Sequence, residues 1–446
     1  MRIKIFTFAL LFITALKVFS QGNTMLSKEQ VIVDIDSLVY TISEVHPDMF
    51  SACGQGEFFG MVSNLKQALP DSVPVCQLYI MLQPILVKLG DGHTTLWFPW
   101  DEVKNKTLRI PLHVTPTRDN KLYVDFSVDN RIPLGSEIIK INGVTVNEIF
   151  EKMMCYQSGE TETFRAQRVR DTFAELLFIL YSADCYDIEY KEPGRRKILK
   201  TTLGTCKNQV LAEWEKKNLP SPSTYDDEPY SFKVLPEKNV AIMDFNKCQD
   251  PEKMEVFADS MFRVLRNDNI KNLVIDVRRN GGGDTEVGDH LLKYLSPKPF
   301  YQFEMGVFRG TPTVKELADC PINTGWSYHK IVDEELIQPK TNDEGHFIGN
   351  VYLLTSNRTY SAANSFSWAF KELGVGKVVG EDTGGVCVSF GECITYNMPN
   401  SHIQASISSC RVWQFGADEK NIHATYPDYR VPIEQALDKA LKLCKP

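Results

Sequence analysis

A chain of 446 residues with 43% hydrophobic and 24% charged residues has room for two or three domains and the composition of a folded, soluble protein. Compositional disorder is excluded, and no low-complexity tract or fixed-period repeat stands out. A formal charge of −8 argues against nucleic acid or an anionic membrane as the main partner.

The first residues read differently from the rest. Arg2 and Lys4 precede an apolar stretch from Ile5 to Leu16, and Val18-Phe19-Ser20 ends in a small residue. That is the layout of a secretory signal over residues 1–20, cleaved near Ser20; a buried N-terminal helix is the competing reading. Losing Arg2, Lys4 and Lys17 would take the charge from −8 to −11. No later apolar run approaches the ~20 residues of a membrane span, so no stable membrane insertion is expected. The mature protein is expected to be exported, to the periplasm or the extracellular space.

From 21 to 104 the pattern is helical. Ser27-Lys28-Glu29-Gln30 has the form of a capping box, and Val31, Ile32, Ile35, Leu38, Val39 and Ile42 recur at helical spacing. Further periodic runs cover Phe58 to Leu69 and Cys76 to Leu89, with breaks at Pro47, Pro70 and Gly90. Between 105 and 205 short alternating segments take over (Leu108 to Val114, Leu122 to Val128, Glu137 to Ile141), separated by polar turns, which is strand-and-hairpin language. Residues 206–229 read as a polar linker or a surface helix.

From 230 to 446 the signal is α/β. Val240 to Phe245 and Asn272 to Val277 are short apolar strands with the helical run Met254 to Leu265 between them. The second strand breaks into Asn280-Gly281-Gly282-Gly283, and a helix resumes near Thr285 to Leu295. Another strand, Asn350 to Leu354, leads through Thr359-Tyr360-Ser361 into a helix from Ala362 to Leu373. The polar stretch from Arg309 to His346 is long for a connection and is expected to border a substrate cleft as a lid or binding loop.

Ser361 stands where a buried strand ends and a helix begins. Alone it reads as an N-cap, but unpaired N–H groups and the helix dipole would also stabilise an oxyanion formed there. Three glycines after the preceding strand allow close backbone approach to a ligand. They lack the G-x-G-x-x-G spacing or the Lys-Ser/Thr ending of nucleotide loops, so they suit an oxyanion better than a pyrophosphate. The eleven cysteines contain no C-x-x-C pair, so structural zinc spacing is absent and no metal or other cofactor is expected. Cys387 and Cys393 lie close enough in sequence to suggest a disulfide.

Taken together, Asp276 and Arg278-Arg279-Asn280-Gly281-Gly282-Gly283, then Thr359-Tyr360-Ser361-Ala362-Ala363-Asn364, then Gly380-Glu381-Asp382-Thr383-Gly384-Gly385 resemble the core of the C-terminal processing (tail-specific) peptidase family. Tyr426-Pro427-Asp428-Tyr429-Arg430-Val431 resembles its closing segment, with Ala424 where glycine is usual. Gly135-Ser136-Glu137-Ile138-Ile139-Lys140-Ile141-Asn142-Gly143 is similar to a PDZ strand. The resemblance implies a multidomain α/β protein with a crotonase-like catalytic core, a PDZ-like β-rich domain and an N-terminal helical region. It implies a serine endopeptidase acting on polypeptides through an acyl-enzyme on Ser361, with backbone N–H groups of Gly282 and Ala362 as oxyanion donors and Gly283 as the alternative register.

Val386 occupies the position of the lysine that one branch of the family uses, and Lys371 or Lys377 would need a different geometry to replace it. The tricorn-core-like branch takes a histidine from the N-terminal side and a glutamate after the serine. Gly90-Asp91-Gly92-His93-Thr94 is similar to that histidine segment, and Glu419 lies 58 residues beyond Ser361, near the branch's spacing. His93 is therefore the expected base and Glu419 the expected acid, with Asp418 as the alternative acid and His423 as second-choice base. Gly92 stands where that branch has an assisting serine. His46 reads as a structural capping residue. PDZ capture of a substrate's C-terminal carboxylate stands beside a purely structural role for that domain. A ligand-binding protein on the same scaffold is the alternative to an enzyme.

Overall fold

In the computed structural model the capping box at Ser27 is formed: its hydroxyl accepts the Gln30 N–H, and its own N–H donates to the Gln30 side chain at 2.9 Å. Two orphan donors of a first turn are thereby satisfied. The helix it starts, α1 (Lys28–Val45), buries Val31, Ile35, Leu38 and Ile42, the stripe a 3.6-residue period dictates. It is followed by α2 (Gln55–Ala68) and α3 (Val75–Leu86).

The structure describes residues 24–103, 108–218, 228–318, 323–332 and 336–444. The signal reading at 1–20 lies outside them, as does 219–227 of the linker at 206–229. The chain forms two compact units, one from residues 1–159, 168–221 and 393–407, the other from 160–167, 222–392 and 408–446.

The first unit holds α1 to α3 and a six-stranded sheet. The main path of that sheet runs Ile198–Leu203, Tyr186–Lys191, Glu137–Ile141, Leu122–Ser127, Leu112–Pro116, with every pair antiparallel. The segment 206–218 begins with a two-residue strand, and Asn208–Asn218 is a helix.

The second unit is built on a sheet in the order β1 (Tyr230–Leu235), β2 (Val240–Phe245), β3 (Asn272–Asp276), β4 (Asn350–Thr355), β5 (Lys377–Gly380), β6 (Tyr429–Arg430). Only the β1–β2 pair is antiparallel. The central strands β2, β3 and β4 are mostly apolar and buried because both faces are covered. Leu273 and Ile275 of β3, Met243 and Phe245 of β2 and Leu353 of β4 pack in one cluster with α4 (Pro251–Asn267), α5 (Glu286–Leu295) and α6 (Ala362–Glu372). Val274, Ile242 and Leu354, pointing the other way, pack against α7 (Ala436–Leu443). Helix α6 is buried all round from Ala362 to Phe370, which explains why it carries no charged side chain before Lys371.

The stretch from Arg309 to His346 carries a helix, Pro312–Ala318, and a strand, Gly325–Lys330, paired antiparallel with Phe303–Gly310. That strand is exposed at every residue, so no hydrophobic alternation announces it. One expectation needs correction: Cys387 and Cys393 do not pair, and the ten described cysteines are all free thiols. Among the described residues no helix is long and apolar enough to cross a membrane.

Candidate active site

Strands β3 and β4 are neighbours in register, with Asp276 opposite Leu354, so the loops leaving their C-terminal ends emerge side by side. In open parallel sheets this edge is where ligands bind. The β3 loop carries the glycines and the β4 loop carries Ser361. Several bonds hold the two loops together: Thr359 Oγ1 donates to Val277 O at 2.8 Å, the Tyr360 N–H donates to Asn280 O at 3.2 Å, and the Ser356 hydroxyl donates to Arg278 O.

Ser361 does not cap α6 by a side-chain hydrogen bond, although it occupies the N-cap position. Its backbone has φ 49° and ψ −128°, a conformation that costs a non-glycine residue of order 1–3 kcal/mol and persists only when the surroundings impose it. The Ala362 N–H that follows belongs to the first turn, which has no intrahelical acceptors. Gly282 packs directly on this corner. A Cβ there, at φ +107°, would lie 2.7 Å from Ser361 Cβ, 2.9 Å from Ala362 N and 2.9 Å from Tyr360 O. Only glycine lets the two loops meet so closely.

The Gly282 N–H donates to Asn280 Oδ1 at 2.9 Å, so the donor expected of Gly282 is engaged in this structure. Asn280, fully buried, is held in turn by donating to Phe245 O at 3.1 Å. The short ladder beside it uses Cys248 N–H to Gly282 O and Asp284 N–H to Cys248 O, which turns the N–H of Gly283 away from Cys248.

Tyr360, one residue before Ser361, is anchored from the segment 160–167. Its hydroxyl donates to Glu160 at 2.8 Å and its ring stacks on Phe164 at 4.1 Å. Asn364, on the first turn of α6, accepts from Thr383 Oγ1 at 2.6 Å and donates to Val386 O at 3.1 Å, tying the helix to the Gly380–Val386 segment. The sequence reading quoted Asn280, Asn364 and Thr383 as parts of motifs without assigning them work. Buried polar residues inside motifs were the available signal, because such groups must be bonded.

In the first unit, Gly90 (φ +67°) turns the chain after α3, and Asp91 and His93 follow. Asp91 is fully buried; its Oδ1 accepts the His93 N–H at 2.8 Å and lies 3.6 Å from His93 Nδ1, while its Oδ2 faces His46 Nε2 at 3.3 Å. Burial alone would raise the Asp91 carboxyl, but the hydrogen bonds it takes from His46 and His93 hold it well below the usual carboxylate range. His46 is the C-cap of α1, so the capping position read from sequence is where it stands. The contact with Asp91 is additional. Arg168 clamps the turn by donating to Gly92 O at 3.0 Å and Ser158 O at 3.2 Å.

The remaining candidates lie in the second unit. Glu419 accepts from Arg411 and from Trp413 Nε1, both at 2.5 Å. Asp418 closes a local turn by accepting the Lys420 N–H at 2.9 Å. His423 Nδ1 contacts Ala424 O at 2.7 Å, which makes Nε2 its acceptor nitrogen, and the ring stacks on Tyr426 at 4.7 Å. Lys371 donates to Tyr426 O and Lys377 pairs with Asp428 at 3.4 Å. Val386 is buried and bridges to Ala424.

The family model of peptidase family S41 matches residues 239–397, a stretch that contains the glycine loop and Ser361. Among solved structures, mature CPAF is similar with a TM-score of 0.63 at 14% identity, covering 93% of this chain and 95% of that one. Mature CPAF complexed with lactacystin gives 0.62 at 12% identity, covering 93% and 96%. A structure from Parabacteroides merdae gives 0.50 at 14% identity, covering 94% and 98%. At these identities the likeness is one of fold. With the family match over the glycine loop and serine corner, the chain is a serine-type peptidase. Over residues 239–397 it carries the sequence of peptidase family S41.

Proposed function

We propose that the protein is an exported serine endopeptidase that cleaves polypeptides through an acyl-enzyme on Ser361. The carrying observation is the corner where Gly282 lies so near Ser361 and Ala362 that a Cβ on it would come within 2.7 Å of Ser361 Cβ and 2.9 Å of Ala362 N. A serine held at φ 49° without capping its helix is placed to do something other than stabilise it.

In this reading Ser361 Oγ attacks the scissile carbonyl carbon, and His93 takes the hydroxyl proton and returns it to the leaving amine as the C–N bond breaks. Water then releases the acyl group by the same base. The oxyanion is met by the N–H of Ala362 with that of Gly282 or, in the alternative register, of Gly283. Glu419 completes the set as a carboxylate favouring the imidazolium. Its two donors at rest make that contribution one of charge. The domain layout is proposed as a helical region at 21–104, a PDZ-like domain at 105–205, a linker at 206–229 and a crotonase-like core at 230–446. The mostly parallel sheet with helices on both faces supports the last assignment, and the antiparallel sheet of the first unit supports the PDZ-like one. Export rests on the basic and apolar pattern of residues 1–20.

The test is labelling by a fluorophosphonate probe together with casein hydrolysis. Labelling and hydrolysis should vanish in Ser361→Ala and fall sharply in His93→Ala. Undiminished hydrolysis by Ser361→Ala would remove the assigned nucleophile, and undiminished hydrolysis by His93→Ala the assigned base.

A further inference from the structure

The mechanism above leaves unexplained a buried pair behind His93. His46 Nδ1 accepts the Asp48 N–H at 3.1 Å, so this nitrogen is unprotonated and Nε2 carries the proton that faces Asp91 Oδ2. Both side chains of the pair are wholly removed from solvent. A buried carboxylate is costly unless its oxygens are satisfied. Here one oxygen takes His46, and the other takes the His93 N–H at 2.8 Å while standing 3.6 Å from His93 Nδ1.

This arrangement has the chemistry a general base needs behind it. An imidazole that accepts a serine proton on Nε2 must hold its own proton on Nδ1, and a fixed carboxylate beside Nδ1 sets that tautomer and stabilises the cation formed. Distances of this kind are often long in a resting enzyme and tighten when the ring is charged. The turn is rigid enough to hold the geometry. Arg168 clamps it through Gly92 O, Ser158 Oγ donates to Thr94 O at 2.9 Å, and a Cβ on Gly90 would meet Ala52 Cβ at 2.5 Å.

We infer that Asp91 is the positioning residue for His93, holding the ring through Nδ1, and that His46 is the donor that aims Asp91. The inference rests on His93 being the base. Asp91 then supplies geometry where Glu419 supplies charge. Asn at 91 keeps an oxygen for the His93 N–H, but its amide protons oppose the His46 Nε2–H and cannot stabilise an imidazolium.

The experiment measures kcat and KM on a quenched casein-derived peptide for Asp91→Asn, His46→Gln and His93→Ala, with rates normalised to the folded fraction by near-UV circular dichroism. Asp91→Asn should lose about 10³–10⁴-fold in kcat, as expected for an imidazole left in the wrong tautomer, with KM changed by less than about threefold. His46→Gln, which retains a donor but not the ring's fixed reach, should lose about 10- to 100-fold by the same split, as for other orienting partners. A kcat within threefold of the parent for Asp91→Asn, or a loss that vanishes on normalisation, overturns the inference. If Asp91→Asn does not fold at all, His46→Gln decides in the same way. An active Asp91→Asn beside an inactive His93→Ala sinks this inference alone, whereas an active His93→Ala sinks the base assignment and this inference with it.

Discussion

Replacing Gly282 by alanine tests the corner on which the catalytic reading stands. The new Cβ would sit 2.7 Å from Ser361 Cβ and 2.9 Å from both Ala362 N and Tyr360 O, none of them the end of a flexible side chain. Carbon atoms prefer about 3.5–4.0 Å, so the two loops would have to separate by roughly 0.7 Å or more. At φ +107° the alanine also adds backbone strain of roughly 1–3 kcal/mol. Urea denaturation should therefore show a stability loss of about 2–3 kcal/mol. The displacement carries the oxyanion donors away from the nucleophile, and removing one such donor costs about 10²–10³-fold in kcat. Turnover of a quenched casein peptide, with active sites counted by fluorophosphonate titration, should fall by that factor per folded molecule. A Gly282→Ala enzyme retaining kcat/KM within threefold would show that this glycine does not border the reacting atoms.

Two further outcomes follow from single residues. Ser361→Gly removes the nucleophile but relieves the strain at φ 49°, so it should lose all fluorophosphonate labelling while gaining about 1 kcal/mol in urea stability; a variant less stable than the parent contradicts the strain argument. Burial, aided by Glu286 and Asp284, raises the Asp289 carboxyl to about 6 against the opposing hydrogen bond from Gln302. A carboxyl raised in the folded state binds its proton more tightly there than when unfolded, so stability is highest below about pH 4 on this account and declines as pH rises to about 6. The gap from the ordinary 3.8 corresponds to roughly 3 kcal/mol. Asp289→Asn should remove that decline, and denaturation midpoints that fall equally between pH 4 and pH 7 in parent and variant would contradict it.

Much of the second unit was legible because its strands are buried on both faces. Val240 to Phe245 and Asn272 to Val277 read as near-continuous apolar runs and form strands at Val240–Phe245 and Asn272–Asp276. The capping box at Ser27 was legible for a local reason, since both its bonds lie within four residues. The strands Val388–Asn397 and Gln404–Gln414 escaped notice: the first mixes exposed and buried positions irregularly, the second alternates buried and half-buried ones irregularly, and both pass from one unit to the other. At the candidate site, motif spacing picked out Ser361 and the glycines. It could not foresee that Asn280 occupies the Gly282 N–H or that Glu419 faces Arg411 and Trp413, because those partners are side-chain matters. Asp91 was within reach, since an aspartate two residues before a histidine can accept that residue's N–H in an Asx turn.

Asp34 of α1 is wholly buried, and its oxygens take the N–H groups of Asn400 and Ser401 at 2.8 Å, the former 366 residues further along the chain. At roughly 5–20 residues per second, a ribosome needs about 20 to 70 s between making the acceptor and making its donors. Throughout that interval the first helix carries a carboxylate with nowhere dry to go, and the unit it belongs to stays unfinished. Amino-terminal fragments that stop short of residue 400 should therefore behave as unsealed, protease-sensitive chains, however complete their helices look on paper.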